Sequence, residues 1–116
     1  MQYLLLIYHN EQEYLALTEK EREPMHNRFR VLMEETAKTG NYLGGNQLQP
    51  TATATTVRVR NGKTSMTDGP FAETREQLGG YIMVEAKNLD EATAIAARVP
   101  IAETGSIEVR PIVARA

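Results

Sequence analysis

The chain has 116 residues, which fits one domain that is long enough to bury a core without a covalent staple. It contains no cysteine, and this excludes disulfides, thiol catalysis and thiolate metal sites. The formal net charge is −2 with acids and bases interleaved, so we expect no direct nucleic-acid contact, which would need a basic face.

The first predicted element is a strand. Residues 3–8 are apolar at every position, which predicts a strand buried on both faces. No basic flank precedes this run, no small-residue cleavage site follows it, and it is far too short to span a membrane. We therefore expect no membrane association and a cytoplasmic location.

Helical patterns follow. Residues 11–17 fit a short helical turn, and Thr18 with Glu21 has the spacing of a capping box, which starts a helix. Pro24 removes an internal hydrogen bond, so we expect a kink or a fresh start there. The helix then continues to Gly40, a favourable stop. Its apolar stripe is formed by Met25, Phe29, Leu32, Met33, Thr36 and Ala37.

The middle of the chain predicts a β-hairpin. Residues 42–48 form a short strand weakened by glycine, and a connector leads to residue 54. Asn61-Gly62 between two alternating runs is a strong hairpin signal. A two-residue turn pairs Arg60 with Lys63, Arg58 with Ser65, and Val57 with Met66. One face then carries Val57, Val59, Thr64 and Met66.

The last third predicts a second strand-helix-strand unit. Residues 74–78 fit one helical turn, and residues 80–86 fit a strand. Asn88 and Glu91 have cap spacing for a helix that ends before Pro100. The buried stripe of this helix is predicted to contain Leu89, Ala92, Ala96 and Val99. With a final strand at 106–112, the order predicts a ferredoxin-like α+β fold, in which both helices cover one face of an antiparallel sheet.

Several segments also resemble a known family. They are residues 3–8, Gly44-Gly45, Leu48-Gln49-Pro50, residues 55–60, Asp68-Gly69-Pro70-Phe71, Gly79-Gly80-Tyr81 and Val109-Arg110-Pro111. Over nearly its whole length the sequence resembles the YCII-related family, in its DGPF-domain branch. This resemblance implies a single domain over residues 1–116 and a dimeric α+β barrel of ferredoxin-like subunits. It implies no particular activity.

Asp68 and His26 are the candidate catalytic residues. The Asp68 carboxylate at a glycine-proline turn could act as a general base, or it could accept hydrogen bonds from its own turn. His26 lies at the edge of the helical stripe, where histidine serves either acid–base chemistry or the core boundary. Some members of the family carry a proposed His–Asp pair near this helix. Because this helix lacks an aspartate, we predict that Asp68 shares a pocket with His26.

The remaining candidates are ligand-binding residues. They are Gly69, Pro70, Phe71, Arg75, Tyr81 and Arg110. Arg75 and Arg110 could grip an anionic ligand with their guanidinium forks. Alternatively, they belong to a solvated charge network with the neighbouring glutamates. His9 and His26 match no metal-ligand spacing, so we predict neither a metal nor a cofactor.

Two functions stay open. The first is a small-molecule-binding protein or enzyme, with a pocket between the sheet and the first helix near the DGPF turn. The alternative is a non-catalytic accessory or interaction module linked to transcription control, because relatives are often encoded beside, or fused to, extracytoplasmic-function sigma factors. An enclosed pocket containing Asp68 favours the first function, whereas a shallow pocket beside an exposed apolar patch favours the second.

The pattern of the strands predicts a homodimer. Helices cover only one face of the sheet, yet the first strand is apolar on both faces. Tyr81 and Met83 also point to the open side. We therefore predict that two sheets meet face to face around a two-fold axis. In the competing arrangement, the inserted hairpin folds back over the open face of its own chain.

Overall fold

The computed structural model of the chain describes residues 1–115. Its helices and strands are, in chain order, β1 (Gln2–His9), α1 (Glu11–Ala16), α2 (Glu19–Lys38), β2 (Tyr42–Gln47), β3 (Thr55–Arg60), β4 (Lys63–Asp68), β5 (Gln77–Glu85), α3 (Leu89–Ala97) and β6 (Ser106–Pro111). Short 3-10 helices lie at Thr51–Thr53 and Pro100–Glu103.

The main sheet has four strands in the order β2-β5-β1-β6, and all neighbours are antiparallel. The central position of β1 fits its sequence, because the apolar run over residues 3–8 is typical of a strand in the interior of a sheet. With α2 and α3 packed on one face, this is the ferredoxin-like α+β arrangement. The fold class predicted from the order of elements is therefore confirmed.

The core lies between this sheet and the helices. Tyr3, Leu5 and Ile7 of β1 are buried, while the intervening side chains are only half-buried. In the single chain, therefore, one face of β1 is buried and the other is partly open. The side chains that pack against β1 from the helices and β5 include Leu32, Ile82, Val84, Ala92 and Ile95. Burying a valine, leucine or isoleucine side chain stabilises the fold by about 1.5–3 kcal/mol.

Helix α2 begins as predicted. The Thr18 hydroxyl accepts from the Glu21 N–H, and the Glu21 carboxylate accepts from the Thr18 N–H. Helix α2 makes no fresh start at Pro24, because it continues through this residue; only one hydrogen bond of a 20-residue helix is lost there. Buried Thr36 is satisfied, since its hydroxyl donates to the Leu32 carbonyl at 2.7 Å.

The hairpin has the predicted register, with all three predicted residue pairs present. Asn61 and Gly62 adopt φ values of 54° and 75°, as the tight turn requires. The hairpin forms a separate two-stranded sheet, and Val57, Val59 and Met66 are exposed on one face. Among residues 1–115, therefore, no segment covers that face.

Two predictions for the last third are wrong. Residues 74–78 form no helical turn, because Gln77 and Leu78 already belong to β5 and pair with the end of β1. Leu89 is exposed, because it is the first residue of α3 after the Asn88 cap and lies outside the buried stripe. Ile95 occupies that stripe instead, together with Ala92 and Ala96. No helix within residues 1–115 is both long and apolar enough to cross a membrane.

Candidate functional site

A cavity of about 360 Å³ lies between α2 and the sheet. Its apolar walls are formed mainly by Ile7, Met25, Phe29, Met33, Ile82 and Ile101. Its polar side chains include His9, Tyr14, His26 and Gln47. No aspartate, glutamate, lysine or arginine is among its lining residues, so the cavity has apolar walls and a hydrogen-bonding end without a permanent charge.

The polar end is organised around Tyr14. Its hydroxyl lies 3.1 Å from Nε2 of His26 and accepts a hydrogen bond of 3.3 Å from the Gln47 amide. Because Gln47 is the donor in that bond, the hydroxyl can donate its own proton to an unprotonated His26 Nε2. The His9 ring meets the Tyr14 ring edge-on, with 5.0 Å between centroids. We refer to His9, Tyr14 and His26 as the His–Tyr–His cluster.

Helix α1 places Tyr14 at the cavity, and side-chain hydrogen bonds fix this short helix. Asn10 caps it by accepting from the Glu13 N–H at 3.0 Å. The Gln77 side chain accepts from the Glu11 N–H at 2.9 Å, which ties α1 to β5. The Glu11 carboxylate accepts from the N–H and the hydroxyl of Thr51, at 2.7 and 2.6 Å. Helix α1 is therefore joined to both the sheet and the connector.

A bulge at Gly79 makes room for His9. The register between β1 and β5 shifts at this point, so that Ile7 faces Gly80 while Tyr8 faces Leu78. A Cβ at Gly79 would overlap the His9 imidazole. A larger residue would displace the His9 ring, so glycine serves close packing of the ring on the backbone here rather than an unusual dihedral angle.

His9 is the cluster member with a perturbed titration. Burial lowers the pKa of His9 below its ordinary value of 6.5, and the charges of Glu11 and Glu76 oppose this shift. The imidazole is consequently neutral at neutral pH and available as a proton acceptor. No group of three or more His, Asp or Glu side chains in residues 1–115 is arranged to hold a metal ion.

A second cavity, of about 350 Å³, adjoins the first. The two share His9, Tyr14, Gln47 and Gly79 as lining residues. Unlike the first cavity, the second contains charged side chains, those of Glu11 and Arg22. The Arg22 guanidinium lies 4.6 Å above the centroid of the Tyr14 ring. The Tyr14 ring therefore borders an uncharged cavity on one side and a charged cavity on the other.

Of the predicted site residues, His26 and Tyr81 border the first cavity. Strand alternation places the Tyr81 side chain on the open face of the sheet, away from the helices, because its neighbour Ile82 points to the helices. There the Tyr81 hydroxyl accepts a hydrogen bond from the Asn46 amide at 3.0 Å. Arg110 also lies across from an open-face residue of β1, and its guanidinium binds the Glu108 carboxylate. Arg110 thus has an internal partner and lies outside the cavity lining.

The structure does not bring the DGPF turn to this cavity within one chain. Asp68 is exposed, Phe71 is 79% exposed, and neither they nor Gly69, Pro70 and Arg75 are among the cavity lining. Asp68 and His26 therefore do not share the predicted pocket within a single chain. The reason is topological: β4, which ends at Asp68, pairs with β3 and not with the strands under the cavity.

Two members of the His–Tyr–His cluster, His9 and Tyr14, were not predicted as site residues. Gln47, which donates to Tyr14, was not predicted either. The sequence does contain a signal for His9, because it continues the alternation of Tyr3, Leu5 and Ile7 and must face the helices. Tyr14 has no comparable signal. Its contact with His26 spans 12 residues and depends on how α1 folds back against α2.

Comparison with known proteins identifies the family. The model of the YCII-related domain matches residues 1–115. An uncharacterised protein of Rhizobium meliloti (strain 1021) is 36% identical over 114 residues, which cover 97% of this chain and 92% of the relative. The chain belongs to the YCII-related family.

A solved structure has a similar fold. It is the 5-chloro-2-hydroxyhydroquinone dehydrochlorinase TftG from Burkholderia phenoliruptrix AC1100, in complex with 2,5-dihydroxybenzoquinone. The TM-score is 0.57, and the match covers 97% of this chain and 94% of the other. With 12% sequence identity, the likeness shows the fold alone.

Proposed function

We propose that this chain binds a small organic molecule in the first cavity and performs acid–base chemistry on it. One observation carries this proposal: both histidines of the chain converge with Tyr14 on a single apolar-walled cavity. Apolar walls with a few convergent polar groups are typical of small-molecule sites. The family assignment and the enzyme of the same fold are compatible with such a role.

The chemistry follows from the hydrogen bonds of the cluster. The neutral His9 imidazole accepts a proton from a weakly acidic O–H or C–H group of the ligand, and the Tyr14 hydroxyl turns its proton from His26 to the oxygen on which negative charge develops. Gln47 donates to the Tyr14 oxygen in both arrangements, so the hydroxyl proton stays available to one acceptor or the other. TftG binds a hydroxylated quinone, and this supports hydroxylated rings as the first ligand class to be tested here.

A metabolite screen by thermal shift tests this function, with hydroxylated aromatic compounds included. We expect specific ligands to raise the melting temperature of the wild type by mass action. Tyr14→Phe and His26→Gln should reduce that shift at least severalfold, because each removes a hydrogen-bonding group from the polar end. Val31→Ala, an exposed change on α2 away from the cavity lining, is the control. A shift that survives both cluster substitutions would refute the assignment of this cavity.

The same screen decides the role of Asp68, which we retain as a candidate for a site that includes a second copy. An undiminished ligand-induced shift in Asp68→Asn would leave Asp68 as a turn residue. Loss of the shift would indicate that the DGPF turn contacts the ligand.

We propose that the protein is a cytoplasmic homodimer of the DGPF-domain branch, in which Phe71 and Arg75 of the same turn region complete the site.

The alternative function is an accessory module that binds a protein of the transcription machinery. The observation that favours it is the exposed apolar face of the hairpin at Val57, Val59 and Met66. A direct test measures binding of a sigma factor of the extracytoplasmic-function type to the wild type and to Met66→Lys. Binding that the substitution abolishes, with ligand binding in the cavity unchanged, would favour this function over the first.

A further inference from the structure

Arg22 is the one lysine or arginine that lines either of the two adjoining cavities in the described part of the chain. It projects from the end of the first turn of α2 and is half-buried. Its Nε donates to the Tyr14 carbonyl at 3.3 Å, and its Nη2 donates to the Leu15 carbonyl at 3.2 Å. These bonds and the stacking on Tyr14 hold the guanidinium in one place.

The charge of Arg22 has no acidic partner within residues 1–115. The salt bridges of these residues join other groups, and no carboxylate lies within 4.0 Å of the guanidinium. Glu11 also lines this cavity and keeps its negative charge, but its two oxygens are held by Thr51 and do not pair with Arg22. A guanidinium has five N–H donors, and the two carbonyls use only part of this capacity. The second cavity therefore offers a fixed positive charge with unused donors.

We propose that the two cavities form one bipartite site for an amphiphilic organic carboxylate. The apolar ring of this ligand lies in the first cavity, and its carboxylate binds Arg22 in the second. This inference rests on the function proposed for the first cavity and adds the charge of the ligand. The uncharged lining of the first cavity suits the ring, whereas the planar fork of arginine matches a carboxylate.

The shared lining residues explain how one ligand reaches both cavities. Tyr14 presents its ring to Arg22 and its hydroxyl to His26, so a ligand that lies along Tyr14 reaches the positive charge at one end and the cluster at the other. The carboxylate then fixes the position of the ring relative to His9 and His26. Binding energy from a remote, non-reacting group is thereby used to orient the reacting end.

Isothermal titration with two probes of matched shape tests this inference. The probes are 3-phenylpropionate and its neutral analogue 3-phenylpropanol, measured at constant ionic strength. We expect the wild type to bind the carboxylate at least tenfold more tightly than the alcohol. Arg22→Gln should abolish this preference. The readout is the ratio of the two affinities, because the substitution also removes contacts to Tyr14 and so acts on both probes alike. Arg22→Lys should retain part of the preference, because it keeps the charge without the fork.

The matched control is Arg30→Gln, which removes an exposed arginine of the same helix that lines neither cavity and whose partner is Glu34. It should leave the preference unchanged. Equal affinities for the two probes in the wild type, or a preference that survives Arg22→Gln, would overturn the bipartite site and leave the first cavity as proposed. If neither probe binds, the bipartite site is also overturned. The metabolite screen then decides separately whether the first cavity binds a ligand.

Discussion

His9 shows how a single position at the end of a strand links the core to the site. Its backbone belongs to β1, and its side chain follows the buried face that Tyr3, Leu5 and Ile7 begin. Because β1 ends there, the ring is only half-buried and reaches the cavity instead of filling the core. The same partial burial lowers the pKa of His9, so the position of the ring at the end of β1 determines both its access to the cavity and its protonation.

The lowered pKa of His9 predicts how stability depends on pH. The unfolded chain binds the His9 proton more tightly than the folded chain does, so the free energy of unfolding rises with pH in this range. The contribution is fully present above the ordinary pKa of 6.5 and is lost as the pH falls below it towards the folded-state value. We expect thermal melts of His9→Gln between about pH 5 and pH 7.5 to show a shallower dependence than the wild type. Parallel curves would contradict this assignment.

At the scale of residues, the sequence identifies only part of the candidate site. His26 is found because it borders a helical apolar stripe, a pattern that lies within one element. Asp68 is chosen because its turn has unusual local chemistry, but the position of that turn relative to the cavity is set by strand pairing far from it. The residue that centres the cluster, Tyr14, has no distinctive pattern and is recognised only by its contacts.

At the scale of elements, the predictions that are correct depend on local interactions. The predictions that are wrong involve strand pairings between residues far apart in the sequence. The hairpin register is predicted correctly because two residues, Asn61 and Gly62, determine it. The caps of α2 and α3 are predicted for the same reason, since each involves residues three positions apart. The start of β5 is missed because Gln77 and Leu78 join the sheet through partners nearly 70 residues away in β1.

The hairpin turn offers a test of this local origin. Asn61 has a φ of 54°, which a β-branched side chain resists. We expect Asn61→Val to destabilise the hairpin by about 1 kcal/mol or more. Amide hydrogen exchange of β3 and β4 measures this directly, and β1 and β5 should be unaffected because the hairpin is a separate sheet. Asn61→Gly, which tolerates positive φ, is the control; equal exchange in both variants would contradict the prediction.

At the scale of the whole molecule, the chain is flat. Its extents are 47 × 46 × 19 Å, and its radius of gyration of 16.2 Å exceeds the value of about 13 Å expected for a compact domain of this length. The hairpin contributes to this excess, since it forms a separate two-stranded sheet instead of joining the main one. Helices protect only one side of the sheet, and on the other side Leu4, Leu6, Tyr8, Tyr81 and Met83 are half-buried.

We predict that two copies associate through this open face. Sedimentation equilibrium at micromolar concentration should give a species of twice 13.0 kDa. Leu6→Lys should shift it towards the monomer, because a charge placed in an apolar interface loses its hydration. Val31→Lys, an exposed change on α2, is the control and should leave the mass unchanged. A wild type that sediments at 13.0 kDa without self-association would reject the dimer.

The bulge at Gly79 gives β5 one more residue than β1 can pair with, and the site depends on that extra residue. Ile7 faces Gly80 and Tyr8 faces Leu78, so Gly79 is left without a partner in the ladder, and the His9 imidazole packs against it. Deleting Gly79 would restore a regular ladder in which Gln77 still faces His9, so every side chain of the strand would keep its face of the sheet. The deletion would instead remove the space that the bulge provides for the His9 ring. A one-codon deletion would therefore disturb the site while leaving both the hydrophobic composition and the strand pairing of the protein intact.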